Sequence, residues 1–295
     1  SGTFDGQGHT VTLSINVDYT GDNSAAMFRY ARNATFKNMH LTGSVVTNGR
    51  HPASLISSAF GDILVENVSS DCAVSTIEFD ACLSGFVGIV GRNYNEDVNY
   101  CDITFKNCVF TGSLTHTNDP MGNNCGGNFV GWKGYQNTNI TIQSCIAAPK
   151  SISESSSFAP FVRHDSGNRN GIGINNSYYL DNISIYKNEY AIQSEAKSSE
   201  VMATGEICYL LNSGQENQVW GQTLGSDALP VLTSDTNKGV YMVTFTIGGQ
   251  VVKKFISNSP IGDKMPSGNE FGLKNATFTY NGAAFDGSTI FSSDP

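Results

Sequence analysis

The sequence predicts an all-β protein whose larger part is a right-handed parallel β-helix, and three observations carry that expectation. Charged residues make up only 15% of the chain while Gly supplies 31 of its 295 residues, so helix formers are scarce and turn and strand formers abundant. Hydrophobic residues reach 39% and recur periodically, which separates the chain from disordered sequences of similar polarity. Finally, five short segments align without gaps, each alternating apolar and polar residues and reaching Asn or Ser at the same place.

Those segments are Ala34-Thr35-Phe36-Lys37-Asn38-Met39, Ile63-Leu64-Val65-Glu66-Asn67-Val68, Ile103-Thr104-Phe105-Lys106-Asn107-Cys108, Ile140-Thr141-Ile142-Gln143-Ser144-Cys145 and Ile172-Gly173-Ile174-Asn175-Asn176-Ser177. Period-two alternation reads as a strand with one buried face. The Asn-type positions 38, 67, 107, 144 and 176 are spaced by 29, 40, 37 and 32 residues. Irregular steps around a fixed short core suit a solenoid with loops of variable length; a propeller blade would need several comparable strands per unit, and leucine-rich repeats would show a Leu signature. Stacking then predicts an asparagine ladder at one bend, with Phe36, Val65, Phe105, Ile142 and Ile174 stacked inside. A second strand precedes each core, around Met27-Phe28, Leu55-Ile56, Phe86-Val87-Gly88, Phe129-Val130-Gly131 and Phe161-Val162.

The recurring Phe-Val-Gly, together with the opening Phe4-Asp5-Gly6-Gln7-Gly8-His9-Thr10-Val11, resembles the GLUG-type repeats of gut-bacterial surface proteins. The resemblance covers about residues 1–190. It implies an extracellular solenoid and brings no catalytic motif with it.

Periodicity fades from Ser184 to about Glu200. Thr204 to Asn212 then reads as a short helix with Thr204 as N-cap and Asn212-Ser213-Gly214 as its stop. The stretches Trp220 to Gly225 and Asp227 to Leu232 resemble the segment that closes such surface β-helices, with Trp220 as a core plug. From Gly239 onward, Val243 to Ile247 and Gln250 to Phe255 flank Gly248-Gly249, a two-residue hairpin signal. Phe278 to Asp286, with Ser292-Ser293-Asp294, resembles the internalin-type B repeats of the Listeria–Bacteroides repeat family, small β-grasp-like modules that serve as spacers. That family usually has Trp where Tyr280 stands, and the sequence ends before its last strand. The expected organisation is a parallel β-helix over 1–190, a connector and capping segment over 191–238, and a truncated B-repeat-like module over 239–295.

The net charge of −9 and the absence of a basic stripe argue against nucleic acid and anionic membranes. No apolar run is long enough to span a bilayer. Ser1 to Gly6 already reads as folded sequence without a signal peptide, so further sequence is expected at both ends. Seven cysteines, without zinc-type spacing, read mostly as small buried hydrophobes, Cys108 and Cys145 as reduced neighbours in adjacent repeats. A surface disulfide among Cys72, Cys82, Cys101 and Cys125 stays open.

Parallel β-helices include polysaccharide lyases and hydrolases, so chemistry needs weighing. No recurrent outward pair of Asp residues suits acid/base hydrolysis. The one dense polar cluster is Arg163-His164-Asp165, followed by Asn168, Arg169 and Asn170. Asp62, Asp119, Asn123 and Asn124 offer oxygen ligands but form no calcium loop, and no nucleophile elbow or phosphate-cradling loop is present. The middle repeats have the longest steps, and there Trp132 and Tyr135, with Arg163, His164 and Asp165 one repeat on, offer an aromatic face beside groups that bond sugar hydroxyls or carboxylates. The expectation is a secreted or cell-surface bacterial module, adhesin-like or glycan-binding, monomeric, with a polysaccharide or host glycan as partner and no metal or cofactor. The alternatives are a polysaccharide-degrading β-helix enzyme and a purely structural spacer.

Overall fold

The computed structural model describes residues 1–21, 24–78, 81–91, 100–117, 125–134, 137–153, 158–164, 169–181, 194–257, 265–274, 277–285 and 287–288. These form two compact units, Ser1–Ser198 and Ser199–Pro295. The protein is mostly β, and a large parallel sheet dominates the first unit.

Repeats of the first unit follow one another along that sheet. The first is one long strand, β1 (Gly2–Gly21), and the second is β2 (Phe28–Gly49). The third divides into β3 (Ile56–Ser70) and β4 (Ala73–Thr76). The fourth runs through β5 (Cys82–Ser84), β6 (Val87–Val90), β7 (Cys101–Lys106), β8 (Val109–Phe110) and β9 (Ser113–His116). The fifth repeats that order with β10 (Cys125–Gly127), β11 (Val130–Lys133), β12 (Thr138–Gln143), β13 (Ile146–Ala147) and β14 (Ser151–Ile152). The sixth contributes β15 (Phe158–Ala159), β16 (Val162–His164), β17 (Ile172–Asn175) and β18 (Tyr178–Leu180), and β19 (Glu195–Lys197) pairs with β18. Each segment pairs in parallel with its counterpart one repeat along, as in β3 with β7, β7 with β12 and β12 with β17.

This register stacks like on like. Phe4, Phe36, Val65, Phe105, Ile142 and Ile174 fall opposite one another in successive strands. From Phe36 to Ile142 that column is at most 3% exposed. The rings of Phe86, Phe129 and Phe161 pack beside it, with Phe86–Phe129 centroids at 4.9 Å and Phe129–Phe161 at 5.0 Å, and Phe86 and Phe129 both touch Phe105 of the column.

The bend after each of these strands is set by one residue in the left-handed region. Asn38, Asn67, Asn107, Ser144 and Asn176 have φ of 54°, 54°, 52°, 53° and 43°, a conformation in which Asn is tolerated far better than branched residues. Gln7 takes it in the first repeat, at φ 52°. The expected ladder follows. Asn67 Nδ2 donates to Asn38 Oδ1 at 3.1 Å, Asn107 Nδ2 to Asn67 Oδ1 at 3.2 Å, and Asn176 Nδ2 to Ser144 Oγ at 3.3 Å. Asp5 ends the run by accepting from the Gln7 amide at 2.9 Å and from Asn38 Nδ2 at 3.1 Å. The same two bonds, that from the Gln7 amide foremost, hold its carboxyl below the usual range. Of the five, Asn176 is the exposed one.

Just past the bend a second, smaller ladder serves the backbone. The Cys108 amide donates to Cys145 Sγ at 3.3 Å and the Cys145 amide to Ser177 Oγ at 3.0 Å. Cys108 and Cys145 are free and buried, as expected; burial raises the Cys145 thiol well above its ordinary value. Burial also pushes Cys72 up to about 11 and Cys101 and Cys208 to about 12, and all three are free. Cys82 is disulfide-bonded, and its position lies opposite Cys125 across β5 and β10.

The second unit holds α1 (Ser199–Ala203), α2 (Glu206–Asn212), the pair β20 (Trp220–Gly221) and β21 (Val231–Leu232), and the hairpin β22 (Tyr241–Ile247) and β23 (Gln250–Ser257). Gly248 and Gly249, at φ 58° and 81°, make the expected two-residue turn. A short hairpin of β24 (Thr279–Tyr280) and β25 (Ala283–Ala284) turns on Asn281 and Gly282, and Phe285 packs with Val243 and Phe245. Trp220 is fully buried; Asn212 grips its backbone, with Oδ1 accepting from the Trp220 amide at 3.0 Å and Nδ2 donating to its carbonyl at 2.7 Å. The helix start differs from expectation by one residue, since Gly205 at φ 87° is the N-cap and Thr204 Oγ1 accepts from the Glu206 amide. A Cβ at Gly205 would meet Ile256 and Leu224 side chains at 2.8 Å, so only glycine fits where the chain enters α2. Residues 199–238 belong to the same compact unit as the hairpin.

Replacing Asn107 separates the two roles of a ladder residue. Asn107→Ala is expected to lose about 2–4 kcal/mol from the left-handed backbone and the missing side-chain bonds together. Asn107→Gly recovers only the backbone share, about 1 kcal/mol. Chemical denaturation of both variants checks this, and equal losses would contradict a left-handed requirement at the bend.

Candidate functional site

The strands β6, β11 and β16 are in register at Val87, Val130 and Val162. The next position is Gly88, then Gly131, then Arg163. Glycine is needed at the first two because another stretch of backbone passes directly over them. A Cβ at Gly88 would run into the His51 carbonyl oxygen, and one at Gly131 would lie 2.7 Å from the carbonyl oxygens of Cys82 and Gly88. The sixth repeat nevertheless carries Arg there, and the pairing shifts to admit it. Between the pairs Val130–Val162 and Lys133–His164, β11 spends two residues, Gly131 and Trp132, opposite Arg163 alone.

Trp132 and Arg163 therefore face each other across neighbouring strands, both half-buried. The His51 ring stacks on the indole at 5.7 Å and 23°. A Cβ at Gly134 would lie 2.8 Å from indole Cε2 and Cζ2, so the ring also rests on its own following backbone. Its Nε1 is buried without a hydrogen-bond acceptor among the described residues. Tyr135 and Asp165, expected beside them, lie outside the described residues, as do Asp119, Asn123, Asn124 and Asn168.

His164 does not join Arg163 on that face. It is 2% exposed and opposite Lys133, itself 0% exposed, in the register column of Ala31, Ala59 and Val90. Alternation along β16 accounts for this, because residues 163 and 164 point to opposite sides of the sheet. Lys133 has no assigned role in the sequence reading, yet a signal was there. Aligning Phe86-Val87-Gly88-Ile89-Val90 with Phe129-Val130-Gly131-Trp132-Lys133 places the lysine at an interior valine position. Burial lowers its amine below the ordinary lysine value.

Elsewhere on the first unit, the Tyr100 hydroxyl lies 2.6 Å from Asp62 and 2.8 Å from Asp102, and Asn139 Nδ2 donates to Asp102. These contacts, that to Asp62 foremost, raise the phenol above its usual value. Asp62, a candidate oxygen ligand by sequence, is thus engaged by a phenol, and among the described residues no group of three or more His, Cys, Asp or Glu is placed to hold a metal. In the second unit a cleft of about 720 Å³ is lined by Tyr209, Leu210, Leu224, Met242 and Phe255, with Glu206 and Lys254 also at its walls. No helix of the described residues is long and apolar enough to cross a membrane.

An interior lysine makes stability depend on pH. A folded-state value below 10.5 means that the ionisation penalty is fully present below that folded value and fades as pH rises toward the unfolded one. Lys133→Met is expected to be more stable than the parent by about 1–3 kcal/mol near neutrality. That advantage should shrink as pH approaches the ordinary lysine range. Urea denaturation of both proteins from pH 6 to 10 reads it; a difference that is constant or grows with pH counts against a buried, desolvated amine.

Neither a protein-family profile nor a curated protein sequence matches the chain. Among solved structures, one from Bacteroides ovatus described as a "putative immunoglobulin A1 protease" aligns over 79% of this chain and 77% of its own, at 16% identity and a TM-score of 0.46. A superposition this loose carries no inference about activity.

Proposed function

We propose that the first unit is a right-handed parallel β-helix of the GLUG type, and that the chain is an extracellular bacterial surface module that binds glycan on a lateral face, with a B-repeat-like spacer behind it. Successive repeats paired in parallel, interior columns of like residues and a left-handed Asn bend in each repeat support the β-helix. The observation that carries the binding role is Arg163. It stands at a position that two preceding repeats keep as glycine for lack of room, and it faces Trp132 across the strand shift. A residue that breaks a packing rule obeyed by its neighbours marks function more often than structure. Guanidinium beside indole is the chemistry that holds a sugar, with the ring stacked and the hydroxyls or carboxylate hydrogen-bonded.

A structural spacer is the second reading. Its support is specific: the indole rests on His51 and Gly134, which leaves less of the ring for a ligand. Arg163→Gly decides between the two, because it restores the residue of the neighbouring repeats and should keep or improve the fold. Calorimetry against a panel of gut and plant polysaccharides is expected to show binding by the parent, and at least about tenfold weaker binding by Arg163→Gly and Trp132→Ala. Equal affinity in both variants removes the binding site from this face, and no binding to any member of the panel supports the spacer.

A further inference from the structure

A cluster with different chemistry lies on the outer face of the second and third repeats. His40 and Ser69 stand opposite each other in the register of β2 and β3, each two residues past its ladder asparagine. Alternation turns both outward, since the flanking Met39, Leu41 and Val68 are buried in the core. Asp71 follows two residues after Ser69 on the same face, diagonal to His40, where a long side chain still reaches. His40 Nδ1 is 2.8 Å from Ser69 Oγ, and its Nε2 is 3.5 Å from Asp71 Oδ2. Neither the Ser69 hydroxyl nor the Asp71 carboxylate has another hydrogen-bond or ion-pair partner among the described residues. The side chains of His40 and Asp71 are 35% and 45% exposed, so a molecule in solution can reach them.

We propose that Ser69, His40 and Asp71 form a nucleophile, a general base and a positioning group that hydrolyse a carboxylic ester presented to this face. The proposal is independent of glycan binding. Asp71 sets the tautomer: a carboxylate only accepts, so the proton of neutral His40 sits on Nε2. Nδ1 is then left to accept from the Ser69 hydroxyl. The longer contact to Asp71 tightens when the imidazole gains charge, as such contacts do once substrate is bound. Ser69 Oγ attacks the ester carbonyl carbon while its proton passes to Nδ1. The bond from that carbon to the alcohol oxygen then breaks, and the alcohol leaves with the proton from Nδ1. Water attacks the acyl-serine by the same route, which releases the carboxylic acid and restores Ser69.

The surrounding backbone argues for an ester over an amide. The Asp71 amide donates to the Leu41 carbonyl at 3.0 Å and the Thr111 amide to the Ser70 carbonyl at 2.8 Å. These amides are committed to the stack and are not donors for a developing oxyanion, a contribution of about 10²–10³ in rate for each donor where it is present. An ester, whose alcohol leaves readily, tolerates that loss; an amide does not.

The test uses the full chain with p-nitrophenyl acetate as the ester and p-nitroacetanilide as the amide control. A fluorophosphonate probe, mapped by peptide mass spectrometry, reports the nucleophile. The parent is expected to hydrolyse the ester at least about tenfold faster than Ser69→Ala or His40→Gln, to leave the anilide intact, and to carry the phosphonate on Ser69. Asp71→Asn should lower kcat about tenfold or more with KM unchanged, and Asp71→Glu should restore most of it, because only a carboxylate holds the proton on Nε2. Circular dichroism confirms the fold of each variant, and labelling of the parent at Ser69 carries the test if His40→Gln does not fold. Hydrolysis by Ser69→Ala at the parent's rate, or phosphonate attached elsewhere, overturns the proposal and leaves His40 and Ser69 as a cross-strand contact. Anilide cleavage as fast as ester cleavage overturns the choice of substrate class.

Discussion

The structure of the first unit depends on a left-handed turn repeated at the same place in every repeat. A strand that ends on an ordinary residue continues or turns loosely; one that ends on Asn in the left-handed region turns sharply with little backbone penalty. The direction of the next strand is then fixed, and so is the register of the repeat above. The amide side chains convert this local preference into a long-range one, since Asn67 reaches Asn38 and Asn107 reaches Asn67 over gaps of 29 and 40 residues. Loop length between bends is free to vary, because register is set at the bend and not by counting residues. The thiol and hydroxyl of Cys145 and Ser177 complete the arrangement by accepting the backbone amides that the turn leaves pointing inward.

A second constraint, close backbone approach at Gly88 and Gly131, gives the candidate site its meaning. Where backbone passes over backbone at such range, no side chain fits. Arg163 and the two-against-one pairing opposite it mark the place where this packing is relaxed. That shift brings His164 level with Lys133, which already stands in ordinary register with Val90, in the interior column otherwise filled by Ala31, Ala59 and Val90. A cationic face and a polar interior are thus two sides of one irregularity. Interior polarity costs stability, and its presence beside Arg163 fits a region shaped by something other than packing alone.

Much of this was legible because the signals are local and periodic. Alternation around Phe36, Val65, Phe105 and Ile142 announces strands, and an Asn at constant offset announces the bend; both are properties of a few adjacent residues. The Gly248-Gly249 turn is legible for the same reason. What stayed hidden depends on contacts between distant residues. Nothing in Trp132 or its neighbours says that His51 will stack on it, or that Tyr19 and Tyr30 will clasp Arg29. Lys133 and His164 read as surface residues by type, and only the register carries them inside. At Gly205, glycine displaced Thr204 as the cap because Ile256 and Leu224, far along the chain, close in on that point.

The central claim is that the Asn side chains bond from repeat to repeat, and side-chain amide hydrogen exchange measured by NMR tests it most directly. The Nδ2 protons of Asn67 and Asn107 are predicted to exchange at least about a hundredfold more slowly than those of a free asparagine amide, and those of Asn107, at 2% exposure, more slowly still. Exchange of both at the free-amide rate in the folded protein would contradict the ladder and, with it, the register on which the rest of the account stands.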